Sequence, residues 1–158
     1  MSKGKSGLFL GTKGFRMSLK EDVIDRFMPS GEININFNKL PGEKGVQIPK
    51  RLTDKQMEFL TMEYGVEFAQ VYVLGSGKHG RGGKYYIYSG IKNQVRIPIR
   101  SDIILINHTH PGGTDYPSRK DQMVMELLAK SGSPQRLSAI VPVGRRTIYY
   151  TMKGLRNK

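Results

Sequence analysis

The chain has 158 residues, enough for one domain with a sizeable core and too few for two of ordinary size. Apolar residues make up 37%, charged residues 25% and aromatics 9%, which excludes a disordered chain, and no apolar run is long enough for a transmembrane helix. The absence of cysteine excludes a disulfide scaffold, a thiol nucleophile and a thiolate metal site, so any metal must be held by histidine and carboxylate.

The charge is lopsided. Lys and Arg number 26 against 13 Asp and Glu, a net +13. Between Glu67 and Asp102 there is no acid, while Lys78, Arg81, Lys84, Lys92, Arg96 and Arg100 all fall there. After Glu126 only bases follow, the last being Lys158. Such a surface attracts polyanions or an acidic protein; a merely basic, solvated surface is the plain alternative.

In chain order, residues 1–20 are rich in glycine and lysine and free of acid, and read as a flexible leader; their short apolar run does not make a complete secretory signal. Residues 21–158 then read as one domain. Glu21–Phe27 suits a short helix, and Ile33, Ile35 and Phe37 alternate with asparagine as in a strand. Thr53-Asp54-Lys55-Gln56 has the form of a capping box, followed by Met57, Leu60 and Tyr64 at helical spacing and closed by Gly65. A strand over Glu67–Leu74 runs into the glycine loop Gly75–Gly83, which lacks the spacing of a phosphate-binding loop. Strands are expected at Tyr85–Ser89, Gln94–Ile99 and Ile103–Asn107, a helix at Ser118–Lys130, and a closing pair at Leu137–Val143 and Thr147–Met152. That order of helix, strands, helix, strands specifies an α+β (α/β layered) domain.

Chemistry concentrates in one segment, Asn107-His108-Thr109-His110-Pro111, followed by a Gly-Gly loop to Ser118 and Asp121. On a strand, residues two apart share a face, so His108 and His110 point the same way. Pro111 and the glycines end the strand, and Ser118 as N-cap puts Asp121 in the first turn of the next helix. A strand end with two imidazoles and a helix start with one carboxylate can converge on one metal, leaving a position open for water. A lone His-X-His or Ser-X-X-Asp would mean little. The four residues together arise by chance on the order of once per million starting positions.

His-X-His-Pro, with ten residues between the second His and an Asp that closes a Ser-X-X-Asp, resembles the JAB/JAMM (MPN-type) metallopeptidase signature. The segment from His108 to Asp121 is most similar to the bacterial RadC-type version of it, over a motif-bearing core of about residues 50–152. The resemblance implies a JAB/MPN-like mixed β-sheet flanked by helices, with Zn²⁺ held by His108, His110 and Asp121. It implies that Ser118 helps hold the oxyanion of the tetrahedral intermediate, and that an upstream glutamate acts as general base. Glu67, at the head of the strand after the capped helix, is placed as that glutamate is; Glu63, in the helix's last turn, is the runner-up, and Glu58 sits mid-helix. His79 and Asp115 read as solvated loop residues. The strand tyrosines Tyr85, Tyr86, Tyr88, Tyr149 and Tyr150 suit sheet packing better than base stacking.

The expected activity is zinc-dependent hydrolysis of a peptide or isopeptide bond in a protein or peptide substrate. The stretch Leu8–Gly14 resembles the junction before C-terminal toxin domains of bacterial polymorphic proteins. That implies an effector delivered from a secreted parent, acting in the cytoplasm and neutralised by an acidic immunity protein. The alternative is a RadC-like nucleic-acid-binding protein or metal-dependent nuclease, favoured by the charge.

Overall fold

The computed structural model describes residues 39–156. The expected leader, the helix over Glu21–Phe27 and the strand pattern from Ile33 to Phe37 lie outside the described residues. Within them the elements are β1 (Val46–Ile48), α1 (Asp54–Tyr64), β2 (Phe68–Val73), β3 (Lys84–Ser89), β4 (Ile103–His110), α2 (Arg119–Lys130), β5 (Ser138–Pro142), β6 (Ile148–Thr151) and β7 (Gly154–Leu155). The described strands form one sheet in the order β1-β3-β2-β4-β5-β6-β7. Neighbours are antiparallel except β4 and β5, which run parallel because α2 carries the chain between them. The fold is α+β with a mixed sheet, as the element order predicts.

Local chemistry explains the helices. The Thr53 hydroxyl accepts from Gln56 N at 3.1 Å, and the Gln56 side chain accepts from Thr53 N at 2.8 Å, closing the expected capping box. Gly65 ends α1 in the left-handed region, at φ 72°, where its N–H reaches the Thr61 carbonyl. Met57 and Leu60 of α1 pack with Leu52, Phe68 and Ile87. Ala69 and Val71, one and three residues after Phe68 and so on the opposite face of β2, pack instead with Leu105 and with Leu128 of α2. The two helices therefore cover opposite faces of the sheet.

One strand breaks strict alternation. Along β2 and β4, Val71 opposes Leu105 but Gln70 opposes Asn107, so Ile106 is an extra residue, a β-bulge. Ile103 and Leu105 face α2, and the bulge shifts the phase so that His108 and His110 share that face. Asn107 and Thr109 turn to the α1 side. There Asn107 Nδ2 donates to Asp54 Oδ1 at 3.1 Å, and Thr109 Oγ1 accepts from Phe68 N at 2.9 Å.

The expected strand over Gln94–Ile99 is not one. Only the bridge between Ile91 and Gln94 forms, and the rest runs unpaired. β2 occupies the place between β3 and β4, and Pro98 has no N–H to offer a ladder. The short edge strands β1 and β7, without an alternating pattern long enough to read, are additions. Deleting Ile106 is expected to leave a regular ladder with both histidines still facing α2, and bound metal unchanged. Inserting one alanine after Asn107 turns them to the α1 face and abolishes binding; metal content by atomic emission separates the two.

Candidate metal centre

His108 and His110 stand at the carboxyl end of β4, both buried. A tight turn follows: Gly113, at φ 84°, returns its N–H to the His110 carbonyl at 2.9 Å. The chain then comes back past Thr114, whose carbonyl lies 2.8 Å from His110 Nδ1. A carbonyl only accepts, so Nδ1 carries a proton, and in the neutral ring this leaves the Nε2 lone pair for a metal. At the head of α2, Ser118 Oγ accepts from Asp121 N at 3.0 Å and Asp121 Oδ2 accepts from Ser118 N at 2.8 Å. This second capping box fixes the carboxylate and aims it at the imidazoles.

The ligand-type atoms of three residues meet. His108 Nε2 and His110 Nε2 are 3.2 Å apart, His108 Nε2 is 3.1 Å from Asp121 Oδ1, and His110 Nε2 is 3.3 Å from Asp121 Oδ2. A tetrahedron with bonds of about 2.0–2.1 Å has edges of about 3.3–3.4 Å, so the two nitrogens already stand about one such edge apart, each with a carboxylate oxygen of Asp121 at a similar distance. Among the described residues this is the one His, Asp and Glu group that could hold a metal ion. Two imidazole nitrogens and a carboxylate oxygen are a donor set that suits a divalent cation, and all three residues line one cleft.

The surroundings polarise the group. Burial favours the neutral carboxyl of Asp121, yet hydrogen bonds from both imidazoles and from Ser118 N hold it well below the usual carboxylate range. Burial also opposes charge on His110, but Asp121 and the Thr114 carbonyl overcome this and raise its pKa. The ring of buried Tyr150 stands edge-on to His108, 6.0 Å between centroids, with its hydroxyl 3.5 Å from Nδ1. Tyr150 is thus one of the strand tyrosines that packs rather than stacks on a ligand.

Glu67 sits one residue before β2, paired through its backbone with Gly90 and Ile91. It is 8% exposed, and burial raises its carboxyl from 4.5 to about 7; His108 and His110 pull it down and Asp121 pushes it up. It lines the same cleft of about 1010 Å³ as His108, His110, Ser118 and Asp121. Glu63, exposed in the last turn of α1, does not line it. His79 is exposed in the glycine loop, and Asp115 pairs with Arg145 at 3.4 Å on the surface.

Sequence spacing gave no sign of three supports: the Thr114 carbonyl, Tyr150, and Glu58, whose carboxylate accepts from Gly144 N at 2.7 Å. Compared with protein-family models, curated proteins and solved structures, the chain matches none. The geometry speaks for itself.

His110→Ala or Asp121→Ala is expected to reduce bound metal from about one equivalent per chain to near zero, while Tyr150→Phe keeps it, as metal analysis after dialysis would record. A second outcome concerns the metal-stripped chain. Between pH 4.5 and 7 the unfolded chain ionises Glu67 and the folded chain does not, so folded-state stability falls as pH rises. Wild type should therefore lose about 2–3 kcal/mol relative to Glu67→Gln from about pH 4.5 to about pH 8, read by urea unfolding. A gap independent of pH would contradict the buried setting of Glu67.

Proposed function

We propose that this chain is a zinc-dependent hydrolase of peptide or isopeptide bonds, of the JAB/JAMM kind its motif resembles. The observation that carries the reading is the convergence of a His₂-Asp ligand face and a buried glutamate on one cleft. His108, His110 and Asp121 would hold the zinc, which when bound supplies Lewis-acid polarisation of the scissile carbonyl and lowers the pKa of water to about 7.

The chain's own groups would do the rest. Glu67 takes a proton from water in the cleft as the oxygen attacks the carbonyl carbon, and returns it to the amine nitrogen as the C–N bond breaks. Its raised pKa suits both halves of that transfer. Ser118 Oγ, which accepts from Asp121 N, keeps its own proton to donate to the developing oxyanion. Arg145, tied to Asp115, and Glu58, bonded to Gly144 N, brace the loops beside the centre.

The reading extends to an effector released from a secreted bacterial protein and acting in the cytoplasm. The alternative, a RadC-like nucleic-acid-binding protein or nuclease, draws on the +13 charge. Phosphodiester cleavage more often uses carboxylate-rich magnesium sites, frequently with two metals, and this cluster has two imidazoles and one carboxylate.

Expressed in bacteria, wild type is expected to slow growth and to generate new protein amino termini, or newly freed lysine side chains where the bond is an isopeptide, detectable by mass spectrometry. Glu67→Gln should keep the metal and lose about 10²–10⁴-fold in cleavage rate. A Glu67→Gln chain as active as wild type would remove the base from the account. Nucleic-acid breakage without new amino termini or freed lysines would favour the alternative.

A further inference from the structure

We propose that the cleft over the centre takes an extended acidic peptide, with an aliphatic residue beside the scissile bond and Asp or Glu flanking it. This rests on the hydrolase reading and adds a substrate class to it.

The cleft has two walls. One is the segment from Lys92 to Ile99, unpaired from Val95 on, and the other is a flank of α2, with Glu67 and the metal ligands between them. The walls offer aliphatic side chains to the cleft: Ile97 and Ile99 from the segment, Val124 and Leu127 from the helix. Ile99 is 37% exposed and Leu127 47%, so apolar surface stands open to a ligand beside the centre. A charged or small polar side chain would gain nothing there, whereas an aliphatic one removes both surfaces from water.

Cations stand on both walls, Lys92 and Arg96 on the segment and Lys120 in the first turn of α2. Among the described residues the carboxylates lining the cleft are Glu67 and Asp121, both turned to the centre, so no other described acid within it neutralises these bases. Arg96 has Glu43 at 4.0 Å, but with side chains 69% and 71% exposed that pair is weak and leaves the guanidinium available. A low-dielectric trough rimmed by one sign of charge concentrates ligands of the other sign. Single-stranded nucleic acid has that sign too, but it calls on aromatic platforms for its bases. The walls here are aliphatic, and Tyr116 is the exposed aromatic that lines them. An acidic peptide meets both the charge and the apolar surface.

The test uses the full chain as its zinc-loaded Glu67→Gln variant and three dye-labelled peptides differing at few positions. One has a central Leu flanked by Asp and Glu, the second replaces the acids with Lys, the third replaces Leu with Ser. Fluorescence anisotropy is expected to show the first bound about tenfold tighter than either of the others, with the charge preference weakening as salt rises. Adding Lys92→Glu and Arg96→Glu should reverse the preference toward the Lys peptide, a gain that misfolding cannot produce. Equal binding of all three, binding of none, or an unstructured oligonucleotide outcompeting the acidic peptide would overturn the proposal. Preferential binding of a peptide that wild type leaves uncut would sink the hydrolase reading and uphold the recognition. Cleavage by wild type without regard to charge would do the reverse.

Discussion

Everything at the centre depends on the phase of β4. A strand without interruption would set Ile103 and Leu105 on one face and His108 and His110 on the other. The core on the α2 side needs the first pair, and the ligand cluster with Asp121 needs the second. The bulge at Ile106 reconciles them, and the α1 face holds the result in place. Asn107 bonded to Asp54, and Thr109 to Phe68, occupy the opposite side of the strand through polar contacts that a slipped register would leave unsatisfied. Bulges commonly sit beside functional sites because they re-aim side chains, and this one re-aims two.

The second constraint is electrostatic. Two imidazoles and a carboxylate within about hydrogen-bonding distance are a poor arrangement for a dry interior unless a cation or protons join them. The chain accepts this cost and then fixes each partner: Thr114 sets the tautomer of His110, Tyr150 flanks His108, and the capping box of α2 orients Asp121. Glu67 is treated in the opposite way. It is buried close to the same charges without being locked into their hydrogen bonds, so its proton affinity is raised to about 7 while Asp121 is held ionised. Two carboxylates lining one cleft are thus given different proton affinities by environment alone, as the proposed division between a metal ligand and a base requires.

Much of this was legible where the signal is local. Both capping boxes, the termini of α1 and α2, the shared face of His108 and His110, and the place of Asp121 follow from spacings of two to four residues. Glu67 could be preferred over Glu63 because one follows the helix and the other ends it. The illegible parts are long-range. The bulge needs knowledge of what β4 pairs with. The unpaired run from Val95 to Ile99 looks apolar and extended, and although Pro98 weakens it as a strand, the occupation of its place by β2 is invisible in the sequence. Tyr150 reaches His108 only through the parallel step from β4 to β5 and the turn back into β6, 42 residues along the chain. Glu58, discounted as mid-helix, finds Gly144 across 86 residues.

The central claim is that His108, His110 and Asp121 together hold one metal ion in the cleft that Glu67 also lines. X-ray absorption at the zinc edge, on the full chain loaded with one equivalent, tests it most directly. The account expects a first shell of four N/O ligands at about 2.0–2.1 Å, two of them showing imidazole multiple scattering, and no change in imidazole count in Glu67→Gln. A shell of six oxygens, a single imidazole, or loss of a ligand in Glu67→Gln would contradict it.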